Sequence, residues 1–116
     1  MTDYSAYEEV AKSFKYESEF KSWLISVAKH HGFRVYSIPD SRRASDSGFP
    51  DLVLAKMDLN DSHVSHMAAF EIKVSRYYKA TEDQLWWLNA FRNAGIPSGI
   101  ITPETVCNFI GYINTK

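Results

Sequence analysis

Three ionisable residues sit where a folded chain would not spend charge idly. Asp51 lies in Gly48-Phe49-Pro50-Asp51-Leu52-Val53-Leu54, and Glu71 and Lys73 lie in Phe70-Glu71-Ile72-Lys73-Val74. The flanks are nearly continuously apolar, as expected of central strands. An ionised side chain there costs on the order of several kcal/mol unless it has a partner. Alternation along a strand gives Glu71 and Lys73 one face, and Phe70, Ile72 and Val74 the other. Pro50 sets Asp51 at the start of the neighbouring strand. If the two strands pair, the Asp51 and Glu71 carboxylates converge on one point. Two carboxylates with water and a phosphate oxygen suit Mg²⁺. Such an ion polarises a phosphate and acidifies bound water, while Lys73, one pleat along, orients that water or offsets developing charge. A Glu-x-Lys tripeptide is commonly an ordinary ion pair on a solvated sheet face, and Pro-Asp alone is commonly turn chemistry. The apolar flanks argue for the metal.

The elements that must position these residues are legible from periodicity. Ser5-Ala6-Tyr7-Glu8 has capping-box spacing and opens a short helix to about Phe14. A second helix runs from about Tyr16 to His31, with Phe20, Leu24, Val27 and Ala28 as its apolar stripe and Gly32 as its stop. Strands are predicted at Phe33 to Ile38, Asp51 to Lys56 and His66 to Val74, the last two as a hairpin. Pro39 to Pro50 and Met57 to Ser65 read as loops. Thr81-Glu82-Asp83-Gln84 is a capping box opening a helix to about Ala94. Pro97 to Thr102 is a fourth strand, and Pro103 opens a last helix to about Ile113. The fold class is α/β: an α-β-β-β-α-β order with a small mixed sheet flanked by helices.

Together these segments resemble the VRR-NUC branch of the PD-(D/E)XK nuclease superfamily. The resemblance rests on Gly48 to Leu54, Phe70-Glu71-Ile72-Lys73, and Thr81 to Gln84 followed by Leu88 and Ala94-Gly95, and runs from about Glu17 to Ile110. It implies a restriction-endonuclease-like core and an Mg²⁺- or Mn²⁺-dependent phosphodiesterase. The implied substrate is branched or flapped DNA, including four-way junctions cut by a resolvase-like homodimer. It implies Asp51 and Glu71 as metal ligands, the Ile72 main-chain carbonyl as a third, Lys73 as the catalytic lysine and Gln84 as the helix-borne glutamine. Stand-alone members are often phage proteins, so a phage-encoded or bacterial cytosolic protein is expected.

A first-helix glutamate completes the implied set, and two candidates exist. Glu17 shares the stripe of Phe20, Leu24, Val27 and Ala28, whereas Glu19 falls off it; Glu17 also suits the helix dipole without any site role. Gln84 reads two ways, as N3 of the Thr81 box and as part of an inward stripe at 84, 88, 91 and 95. Arg42, Arg43, Arg76 and Lys79 are candidate DNA contacts, the last two interleaved with Tyr77 and Tyr78; ordinary surface charge reads as well for each. His30-His31 and His63/His66 lack zinc-ligand spacing. Trp86 cannot face inward together with Leu85 and Trp87, so it marks a dimer patch or lies under Tyr4 and Tyr7.

The chain has 116 residues and 45% hydrophobic and 15% aromatic content, which fits one folded domain over 1–116 with a helical extension at 1–15. The single Cys107 forms no internal disulfide. No apolar run is long enough to span a membrane, and the first residues lack signal-peptide character, so a cytoplasmic location is expected. The formal net charge of −1 is low for a nucleic-acid binder, though bound metal would neutralise acids, and bases gather around the motifs. The rival to an enzyme is a silent nuclease-fold module that binds DNA or a partner protein. Intact Asp51, Glu71 and Lys73 speak against it.

Overall fold

The computed structural model describes residues 3–38, 46–58, 60–61, 63–75 and 77–116. Its elements are α1 (Ser5–Lys12), α2 (Glu17–His30), β1 (Arg34–Ser37), β2 (Leu52–Met57), β3 (Ser65–Ile72), α3 (Glu82–Asn93), β4 (Ser98–Ile101), a 3₁₀ turn (Pro103–Thr105) and α4 (Val106–Thr115). The strands form one sheet in the order β1-β2-β3-β4. β1, β2 and β3 pair antiparallel, while β3 and β4 pair parallel. A parallel pair needs a crossover, and α3 supplies it.

The pleat divides the sheet into two unlike faces. Leu52 and Leu54 lie across from Phe70 and Ala68, and this face is closed by Phe20, Leu24 and Ala28 of α2 and by Val106, Phe109, Ile110 and Ile113 of α4, all buried. Phe70 meets Phe109 edge-on at 5.5 Å. Each such large apolar side chain contributes about 1.5–3 kcal/mol on burial, so this side supplies most of the stability. The opposite face carries Asp51, Val53, Ala55, Ala69 and Glu71. α3 packs over β3 and β4, anchored where the Ser98 hydroxyl donates to Leu88 O at 2.7 Å and Arg92 donates to Ser98 O at 3.1 Å.

Several boundaries differ from the sequence reading. Ser5 is the first residue of α1 and not its cap; its N–H is taken by Asp3 Oδ1 at 2.9 Å, because the carboxylate two residues upstream reaches that donor first. α1 ends at Lys12. β3 ends at Ile72, so Val74 lies beyond it, although Lys73 N–H still donates to Ile101 O at 3.0 Å. Gly95 lies past the end of α3 and is exposed, so it does not belong to an inward stripe. Pro103 starts the 3₁₀ turn that leads into α4. Among the described residues no helix is long and apolar enough to cross a membrane.

Candidate metal and phosphate site

Continuing the β2–β3 register beyond Leu52↔Phe70 puts Asp51 across from Glu71 and Pro50 across from Ile72. Pro50 has no N–H and cannot donate to the Ile72 carbonyl. The Ile72 N–H, in turn, is taken by the Asp51 carboxylate, with Oδ2 accepting at 2.8 Å. The proline thus ends the ladder one residue early, and the Asp51 side chain stands in for the missing strand. This aims Asp51 at the end of β3 and leaves a carbonyl without a ladder donor beside two carboxyl groups.

Glu71 is 4% exposed. Its Oε1 accepts from Gln84 Nε2 at 3.1 Å and lies 3.7 Å from Lys73 Nζ. Its pKa is pushed up to about 9, first by burial, then by a hydrogen bond with Asp51 and by the Asp51 charge, against the opposing pull of Lys73. Burial and the neighbouring Asp51 carboxyl thus both disfavour the charged form of Glu71. Two carboxyls brought this close raise the pKa of one of them.

Gln84 serves both purposes that its position allows. Its Oε1 accepts from Thr81 N–H at 2.9 Å, and its own N–H donates to Thr81 Oγ1 at 3.1 Å, completing the capping box. With the amide oxygen held by the cap, the amide NH₂ is left to face Glu71. Local helix-start chemistry thus orients a site residue.

Glu17 opens α2. The residue is exposed overall, yet partial burial and then the Asp51 charge raise its pKa, opposed by Lys73 and Lys21. It therefore lies within the electrostatic reach of the site. Lys21, one turn along, donates to Ile38 O at 3.1 Å; its i+4 spacing from Glu17 was the available sequence signal. Among the described residues no three His, Cys, Asp or Glu side chains are grouped closely enough to hold a metal by themselves. The protein ligands in reach are two carboxylates and the Ile72 carbonyl, an all-oxygen set that fits Mg²⁺ or Mn²⁺ better than a softer ion. Such an ion would take its remaining ligands from water and phosphate.

A further group, which the sequence reading did not single out, holds the motif loop against α3. Gly48 has φ of +81°, and a Cβ there would fall 2.5–2.6 Å from atoms of Asp83 and Gln84. The Ser47 hydroxyl donates to Asp83, and Trp87 Nε1 donates to Ser47 O at 3.1 Å. Phe49 packs edge-on to Trp87 at 4.9 Å. These contacts bring Asp51 and Gln84 to the same place.

The remaining candidates are dispersed. Arg42, Arg43 and Arg76 lie outside the described residues. Lys79 and Tyr77 are exposed beyond β3. His66 faces Asp58 at 3.6 Å, and the His31 ring is hydrogen-bonded to Val27 O. Tyr7 packs on Trp23 at 6.3 Å and Tyr4 on Tyr7 at 6.2 Å, while Trp86 is 63% exposed.

By sequence alone, no family model and no curated protein matches this chain. Solved structures do match. One named "VRR_NUC domain protein" superposes with a TM-score of 0.61 at 17% identity, over 84% of this chain and 86% of that one. Another, named "VRR_NUC domain", gives a TM-score of 0.62 at 19% identity, over 82% and 94%. The chain shares the fold of these domains.

Proposed function

We propose that this protein is a VRR-NUC-type, Mg²⁺- or Mn²⁺-dependent DNA nuclease that hydrolyses phosphodiester bonds at branched or flapped structures. The observation that carries the reading is the buried Glu71 carboxyl beside the half-buried Asp51, with Lys73 and Gln84 on the Glu71 carboxylate. The fold likeness supports it, since those structures bear a nuclease-domain name. A divalent ion at Asp51, Glu71 and the Ile72 carbonyl would polarise the phosphate and acidify water.

The side chains divide the remaining work. Lys73 stands at the edge of the carboxyl pair, where a cationic group offsets charge building on a phosphoryl oxygen. Gln84 steadies Glu71 through a neutral donor and adds no charge of its own. Glu17 adds a negative field from the helix start. In the reaction a water oxygen bonds to phosphorus as the bond to the 3′ oxygen breaks; the water gives up a proton and the leaving oxygen takes one. Lys79, with Arg42, Arg43 and Arg76, supplies phosphate contacts.

Two copies acting together suit cutting on both strands of a four-way junction. Leu85 and Trp86, 46% and 63% exposed on α3, offer the patch for that pairing. A reducing cytosol suits the one thiol, Cys107, which is free. The test is incubation with linear, nicked, flapped and four-way DNA, with and without Mg²⁺ or Mn²⁺. Metal-dependent cleavage of the branched forms supports the reading. Shifted but uncut DNA would instead assign a silent binding module.

A further inference from the structure

On the sheet face that bears Asp51 and Glu71, α3 lies over β3 and β4, while on β1 Arg34 and Tyr36 are exposed. Register puts Tyr36 beside Val53 and Arg34 beside Ala55, so both side chains share the face of Asp51. Tyr36 is 66% exposed and Met57 is 69% exposed. Neither the Tyr36 nor the Arg34 side chain has a hydrogen bond, ion pair or ring contact among the described residues. An arginine and an aromatic ring are the groups that take a phosphate and a base face.

At the far end of this face lies a cavity of about 670 Å³. Ala55, Met57 and Met67 give it an apolar floor, and His30, His31 and Arg34 line it with basic groups. Lys56 also lines it, its ammonium donating to His31 O at 3.0 Å. Among the described residues no acid lines the cavity. From Asp51 to Met57 the strand covers about 20 Å at ~3.3 Å per residue. Tyr36 thus sits one pleat from the carboxyl pair, Arg34 one pleat further, and the basic cavity at the end.

We propose that this face is a track for a single-stranded nucleic-acid arm, with Tyr36 stacking on an unpaired base and Arg34 and the cavity holding the backbone beyond it. The inference rests on the nuclease reading and adds the form of substrate that the site takes. A paired duplex presents its phosphates outward and has no use for an apolar floor and an exposed ring. An unpaired strand offers bases to the floor and phosphates to the cations. Charge complementarity and the unpartnered ring both select it over a protein partner.

The test is anisotropy of a labelled oligothymidine and of a paired duplex of equal length, without divalent metal, for wild type, Tyr36→Ala and Arg34→Ala. Both positions are exposed, so melting should stay near wild type. The expected result is roughly tenfold weaker oligothymidine binding for Tyr36→Ala. Arg34→Ala should lower the salt slope by about 0.7, and duplex binding should be unchanged. Wild-type binding by both variants, no oligothymidine binding by wild type, or equal losses on duplex would each overturn the proposal. So would loss of a dimer in Tyr36→Ala with oligothymidine binding intact, which would assign the face to a second copy. Cleavage is scored in parallel with Mn²⁺. A wild type that cuts while the variants bind normally defeats the track and spares the nuclease. A wild type that never cuts, with the expected binding losses, defeats the nuclease and spares the track.

Discussion

Glu71 is the residue on which chemistry and stability meet. Its folded pKa, about 9, is raised above that of an ordinary carboxyl, mainly by burial. A carboxyl with a raised folded pKa leaves the protein most stable below the unfolded pKa, because both states then hold the proton. As pH climbs towards 9 the unfolded state releases it first, so the metal-free protein should lose stability between about pH 4.5 and 9. Glu71→Gln should flatten that dependence and match or exceed wild-type stability at pH 8, read by urea unfolding at several pH values. A variant that kept the wild-type slope would show that the proton resides elsewhere. Lys73 makes the opposite contribution, touching the pair from its edge at 3.7 Å. Lys73→Ala should reduce cleavage at least ~100-fold, the scale of losing one preorganised stabiliser. Calorimetric Mn²⁺ affinity should change far less. Loss of Mn²⁺ binding as complete as in Asp51→Asn would make Lys73 part of the metal site instead.

At the scale of elements, the clasp between the motif loop and α3 sets the geometry. Gly48 and Gly95 form a matched pair: both have positive φ, +81° and +84°, but a Cβ at 48 collides with the start of α3 while one at 95 meets nothing within 4 Å. Gly95→Ala should cost only the backbone term of about 1–2 kcal/mol. Gly48→Ala should cost clearly more and also lower cleavage, because the helix start that carries Gln84 must move. Equal costs in chemical denaturation would mean that the clasp does not hold the loop. The strands and the β2–β3 hairpin were legible in the sequence because alternation and Pro50 leave few arrangements. The Thr81 box was legible because capping is local. The clasp was not, since Gly48 and Asp83 meet across 35 positions and nothing near either residue announces the other. Asp3 taking the Ser5 N–H was missed for a smaller reason: two side chains competed for one donor. The open face of β1 escaped notice because alternation marks which residues share a face and not what lies over it.

For the whole molecule, the two-sided build keeps stability and chemistry apart. α2 and α4 close one face with large apolar groups, and the other is left to charge, helix start and open sheet. A dimer through Leu85 and Trp86 would leave both open faces available. Light scattering at micromolar concentration should then give twice the mass of 13.3 kDa, and Trp86→Ala should shift it towards the monomer. A wild-type monomer that persists on adding four-way DNA would reject the paired form. The central claim is that Asp51 and Glu71 jointly hold the ion that phosphodiester cleavage requires. The most direct measurement is the Mn²⁺-dependent single-turnover rate on a flapped or four-way DNA for wild type, Asp51→Asn and Glu71→Gln, each checked for native circular dichroism. The account predicts cleavage by wild type that vanishes with chelator, and background rates for both folded variants at every Mn²⁺ concentration. Near-wild-type turnover by either variant would contradict it.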